Sequence, residues 1–115
     1  MKTSDLFSAL SNEIRLRCLS LMQLEGELCV CELTHTLALS QPMISRHLAL
    51  LRDVGLVSDR RSGQWIYYQI QPDLDDWVKQ IITTTFNANK NSAPFKTDQQ
   101  TLKKMPDRPD TSCCA

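Results

Sequence analysis

Residues 40–70 read SQPMISRHLALLRDVGLVSDRRSGQWIYYQI. Ser40 is a good helix N-cap, and Pro42 falls in the first turn, where its missing N–H costs nothing. Ile44, Leu48 and Leu51 give the following stretch, Met43–Asp53, one apolar face. Gly55 stands where a left-handed residue ends a helix. Two β-prone arms come next, Leu56–Asp59 and Gln64–Ile70, around Arg60–Gly63. The pattern predicts a helix followed by a hairpin with a basic tip.

Upstream, Leu6, Phe7, Leu10 and Ile14 recur at helical spacing. With Ser4 and Asn12 as N-caps and Gly26 as a stop, they predict helices over about 4–10 and 12–24. A short helix over Val30–Leu37 and a loop at 38–40 complete a helix–turn–helix in front of the hairpin. The fold class is therefore mainly α with a β-hairpin wing, a winged helix-turn-helix. After Pro72, the series Leu74, Trp77, Val78, Ile81, Ile82 and Phe86 carries the strongest amphipathic signal in the chain. Asn, Lys, Thr, Asp, Gln and Pro then dominate, with few apolar residues. This composition predicts one domain over 1–87 and a flexible tail over 88–115 that ends in Cys113 and Cys114.

The 115 residues carry no net charge, so composition alone does not point to nucleic acid. The charge is uneven, however: residues 40–70 hold four basic and two acidic side chains, while residues 1–39 hold three and five. The first residues lack the apolar core of a secretory signal, and no apolar run reaches membrane-spanning length. The expectation is a cytoplasmic protein with no membrane partner. There its five cysteines would be thiols, ligands or sensors rather than structural disulfides.

In a winged helix-turn-helix the second helix of the motif enters the major groove. Its exposed side here offers Gln41, Ser45, Arg46 and His47, with Ser40 at its start. Gln pairs with adenine and Arg with guanine through two hydrogen bonds each, whereas Ser and a helix N-terminus suit phosphate. Arg60 and Arg61 of the hairpin would meet the DNA backbone or minor groove. The competing reading is a solvated helix face and a charged turn.

The 40–70 segment closely resembles the recognition helix and wing of the ArsR/SmtB family of metalloid-responsive repressors. The preceding ELCVCEL, residues 27–33, resembles the arsenic-binding segment of that family. The resemblance covers roughly residues 4–87. It implies a homodimer on double-stranded operator DNA, with no enzymatic activity and no required cofactor. The first and last helices would form the interface, through Leu6, Phe7 and Leu10 and through Trp77, Ile81 and Phe86. The alternative for those faces is intramolecular core.

Cys29 and Cys31 suit one ligand if Cys29 precedes the third helix and Cys31 lies in its first turn. A helix N-terminus stabilises thiolate, the soft donor that As(III), Sb(III) and methylated trivalent arsenic prefer. The alternative is a pair of small buried cysteines. Many arsenic repressors of this type have a third cysteine where this chain has Thr34. A third sulfur would come from Cys113 or Cys114, or would not be needed. Cys18 reads as core, and His35 and His47 as surface or DNA-facing groups. Zinc sensing on the last helix is disfavoured, because Asp73, Asp75 and Asp76 stand there without a histidine. Cadmium sensing is disfavoured because residues 1–17 lack cysteine. A thiol-redox repressor and a winged helix that binds protein rather than DNA remain as alternatives.

Overall fold

The computed structural model describes residues 1–108. Cys113 and Cys114 lie outside the described residues. The elements run α1 (Thr3–Leu10), α2 (Glu13–Glu25), β1 (Leu28–Cys29), α3 (Val30–Leu37), α4 (Gln41–Asp53), β2 (Val57–Ser62), β3 (Trp65–Ile70), α5 (Asp76–Asn89) and α6 (Phe95–Lys103). The strands form an antiparallel sheet in the order β1-β3-β2.

Local chemistry explains most of the boundaries. The Asn12 side chain accepts from the Arg15 N–H at 3.1 Å and starts α2. Ser40 accepts from the Met43 N–H at 3.3 Å and starts α4, with Pro42 in the first turn. Ser4 does not cap α1: the helix starts at Thr3, and Lys2, the residue before it, makes no side-chain cap bond. Gly55 has φ +89°, so α4 ends as its sequence predicts. Gly63, at φ +61°, opens a two-residue turn between paired Ser62 and Trp65.

Helix α2 runs through the middle of the core. Cys18 to Met22 are consecutive buried residues, a pattern that only a helix covered on several sides can sustain. Leu33 of α3 and Ile44, Leu48 and Leu51 of α4 are fully buried in the same core. The two helices of the motif are thus joined by packing, and truncating a residue such as Leu48 to Ala would cost about 3 kcal/mol. Val78, Ile82 and Phe86 give α5 an inner stripe. Trp77, Ile81, Gln80, Thr84 and Thr85 line a shallow outer groove on the same helix.

Three expectations need correction. First, the region after residue 87 is not simply a tail. Helix α5 continues to Asn89, and α6 follows and docks on α2 and α3. Few apolar residues are needed: Leu102 is fully buried, and Asp98 is buried against Arg17 in a two-bond ion pair at 2.7 and 2.8 Å. Second, the first hairpin arm runs on to Ser62, so Arg60 and Arg61 lie in β2 and the tip is Gly63–Gln64. Third, Leu6 and Phe86 are buried within the chain, which leaves neither available to a partner. Leu10 and Ile81 are partly buried against the core, whereas Phe7 and Trp77 are exposed.

Candidate DNA-reading helix and thiol centre

The outer side of α4 presents Gln41, Ser45 and Arg46 at its N-terminal half. Gln41 Nε2 donates to Ser45 Oγ at 2.6 Å, one turn on, so the two polar groups form one patch. Arg46 is exposed beside them. His47 is turned elsewhere. Its Nδ1 lies 3.2 Å from Arg15 Nη1, a permanent donor, so Nδ1 is the accepting nitrogen. Burial, then the positive charges of Arg15 and Arg46, push the His47 pKa below the ordinary 6.5. Arg15 also donates to the carbonyls of Ala9, at 2.8 Å, and Ser8, at 3.2 Å. It therefore ties the end of α1 to α4, a role that its place in the sequence does not signal.

The wing arginines differ. Arg60 makes a two-bond pair with Glu27 at 2.6 and 2.7 Å and lies 4.5 Å from the centre of the Tyr67 ring. Its guanidinium is thus directed onto the protein. Arg61, next along β2, is exposed.

The thiols occupy the start of α3. Cys29 ends β1, caps α3 and is buried; Cys31 is the second helical residue and is partly exposed. Their sulfurs are 3.1 Å apart. A thiolate binds a metal ion such as zinc at about 2.3 Å, so two sulfurs on one such ion lie within about 4.6 Å of each other. The pair meets that condition as it stands. Thr34 does not extend it, because its hydroxyl donates to the Cys31 carbonyl at 3.0 Å. Among the described residues no group of three Cys, His, Asp or Glu side chains is placed to hold a metal ion. Cys18 is separate: it is fully buried, and burial pushes its thiol up to about 12.

Two neighbours of the pair were not singled out from sequence. Glu32, buried, accepts from the Cys29 N–H at 2.8 Å as the third residue of a capping box. An acid three residues after an N-cap is the sequence signal that would have found it. Arg108 donates to the other Glu32 oxygen at 2.6 Å and to Glu25 at 3.2 Å. No local pattern announces that contact.

Residues 12–59, from the cap of α2 into β2, match the model of the arsR family of bacterial regulatory proteins. The chain is 47% identical over 112 residues to the arsenic resistance transcriptional regulator ArsR2 of Pseudomonas putida, and the match covers 96% of each chain. This protein belongs to the arsR family. Solved structures agree on the fold of this ArsR-family chain. Reduced HlyU from Vibrio cholerae aligns with a TM-score of 0.66 and 37% identity, over 75% of this chain and 86% of that one. The antimony-specific transcriptional repressor AntR aligns with a TM-score of 0.62 and 28% identity, over 75% of each chain. The protein is a winged helix-turn-helix repressor of the ArsR type, and its relatives are transcriptional regulators, not enzymes. No helix among its described residues is long and apolar enough to cross a membrane.

Proposed function

We propose that this protein represses transcription by binding operator DNA as a homodimer in the cytoplasm, and that it releases the DNA when Cys29 and Cys31 capture trivalent arsenic or antimony. The observation that carries the reading is the 3.1 Å approach of two cysteine sulfurs at the first turn of α3, in a chain so similar to an arsenic resistance regulator. Thiolate is the donor class that these soft centres prefer, and methylated trivalent arsenic belongs to the same class of ligand. Cys113 and Cys114 would supply sulfur where two donors are too few.

Gln41, Ser45 and Arg46 would read base edges, Ser40 and the start of α4 would meet phosphate, and Arg61 would reach the backbone from the wing. His47 would act through its contact with Arg15 more than through DNA. Arg60 would support the wing. Phe7, Trp77 and Ile81, with the rim of Leu10, would form the part of the dimer interface that the chain leaves uncovered.

The thiol pair has two routes to the DNA-reading surface. Cys29 pairs with Tyr67 across the sheet, so its movement acts on the wing. Cys31 lies in α3, which packs on α4. In a dimer, a small rotation of α4 changes the spacing of two recognition helices that must match half-sites about 34 Å apart. Moving the population from 1:99 to 99:1 needs about 5.5 kcal/mol of preference for the released state.

Band shift with DNA upstream of the protein's own gene, run with arsenite and separately with peroxide, tests this reading. Binding that arsenite alone abolishes supports it. Release by peroxide alone would favour the redox reading that the same sulfur approach permits. A failure to bind DNA would leave the winged helix as a protein-interaction module.

A further inference from the structure

A clasp spans the sheet between the thiol pair and the wing. Gly26 ends α2, and Glu27 is the single residue between it and β1. Glu27 reaches across β3 to β2, where its two oxygens accept from Arg60 at 2.6 and 2.7 Å. The Arg60 guanidinium lies 4.5 Å from the centre of the ring of Tyr67, a buried residue. Tyr67 is the register partner of both Arg60 and Cys29. Partners in an antiparallel sheet share a face, so Cys29, Tyr67 and Arg60 form one row. Arg60 is thus tied to the thiol segment twice, through the ring of the residue opposite Cys29 and through Glu27, two positions before Cys29.

The clasp suits transmission better than support. The side chains of Arg60 and Glu27 are 52% and 26% exposed, and pairs so open to solvent contribute little to folding. A two-bond guanidinium–carboxylate pair is nevertheless specific in geometry, so it responds to small changes in the distance between the backbones that carry it. A two-sulfur ligand supplies such a change. Phenylarsine oxide, hydrated to C6H5As(OH)2, exchanges two hydroxides for two sulfurs; each hydroxide leaves as water with one thiol proton, and arsenic stays trivalent. The 3.1 Å contact between the free thiols gives way to a separation that arsenic sets. Arg61 follows Arg60 in β2, so a shift of the clasp moves the side chain assigned above to the DNA backbone.

We propose that Arg60 is a positioning residue of the switch: gripped by Glu27 over the Tyr67 ring, it carries occupancy of Cys29 and Cys31 to β2 and the wing. This rests on the reading of Cys29 and Cys31 as the ligands that govern release. The contact of α3 with α4 remains a second route, so loss of the clasp weakens the coupling without abolishing it.

The test measures a coupling ratio, the operator affinity of the full-length reduced protein without phenylarsine oxide divided by that with it saturating. The ratio cancels any loss of basal DNA affinity, and a merely structural role would not move it. Reciprocity requires the same ratio between the phenylarsine oxide affinities of free and operator-bound protein. Arg60→Ala and Glu27→Ala should each lower the ratio about 5-fold, the scale of residues that carry coupling between sites. The double alanine variant should lose no more than Arg60→Ala alone, because both substitutions cut one contact. A wild-type ratio in Arg60→Ala, or additive losses in the double variant, would overturn the proposal. If Cys29→Ser/Cys31→Ser brings the ratio to one while Arg60→Ala keeps it, this proposal alone fails. If the wild-type ratio is one, or the serine pair keeps the wild-type ratio, the reading of Cys29 and Cys31 fails as well.

Discussion

Cys29 lies directly opposite Tyr67 in the antiparallel pairing of β1 with β3, and Tyr67 in turn lies opposite Arg60 in the pairing of β3 with β2. The thiol centre and the wing are therefore parts of one sheet. Arg60, held by Glu27 and resting over the Tyr67 ring, closes the chain of contacts back onto the residue two before Cys29.

This geometry separates the wing arginines. Arg61→Ala should weaken operator binding about equally for all sequences and lower the salt slope by about 1, as loss of one phosphate contact does. Arg60→Ala should leave the salt slope nearly unchanged. Titrations at several salt concentrations check both; equal slopes for the two variants would contradict the assignment.

Arg46 stands exposed beside the Gln41–Ser45 patch. Arg46→Ala should cost about 1–3 kcal/mol of operator affinity and relax the preference for one base pair, which a panel of single-substituted operators reads out.

The Arg15–His47 contact predicts a pH effect. The folded-state pKa of His47 lies below 6.5, so the folded chain binds its proton less readily than the unfolded chain. Its contribution to stability is present above about pH 6.5 and falls as pH drops through the folded value. Urea unfolding midpoints should therefore decline from pH 7 to pH 5 more steeply in wild type than in His47→Gln. An identical decline would remove His47 from the account.

The fold was legible where one local rule acts alone. Ser40, Pro42, Gly55 and the Ile44/Leu48/Leu51 stripe define α4 without help from distant residues. The β1 strand was not legible, because Leu28 and Cys29 are strand only through pairing with Tyr68 and Tyr67. Helix α6 was missed for a related reason: its docking rests on Asp98 meeting Arg17, 81 positions away in the chain, and composition carries no trace of that pairing. The placement of Cys29 and Cys31 at the start of α3 and of Gln41, Ser45 and Arg46 along α4 was legible from residue type and spacing. Their supports, Glu32, Arg108 and Arg15, were not, since each acts through an atom that only the folded chain brings near.

The Arg17–Asp98 pair also sets a stability. Asp98→Ala removes a buried carboxylate from its guanidinium and should cost about 3 kcal/mol in urea unfolding. It should also speed proteolysis within residues 90–105. A protein indifferent to this substitution would place α6 outside the folded unit.

Cys18 separates core from sensing thiols. With its pKa pushed up to about 12 and no exposure, it should stay unmodified by a thiol reagent at pH 8 until the protein unfolds. Cys18→Ala should leave the number of thiols that react in the folded state unchanged.

Fluorescence anisotropy of labelled promoter DNA with the reduced protein, titrated with arsenite and with methylarsenite in wild type and in Cys29→Ser/Cys31→Ser, shows whether the thiol pair governs release. Both forms should bind the DNA, and only the wild type should let it go. Release that persists in the double serine variant would remove Cys29 and Cys31 as the sensor.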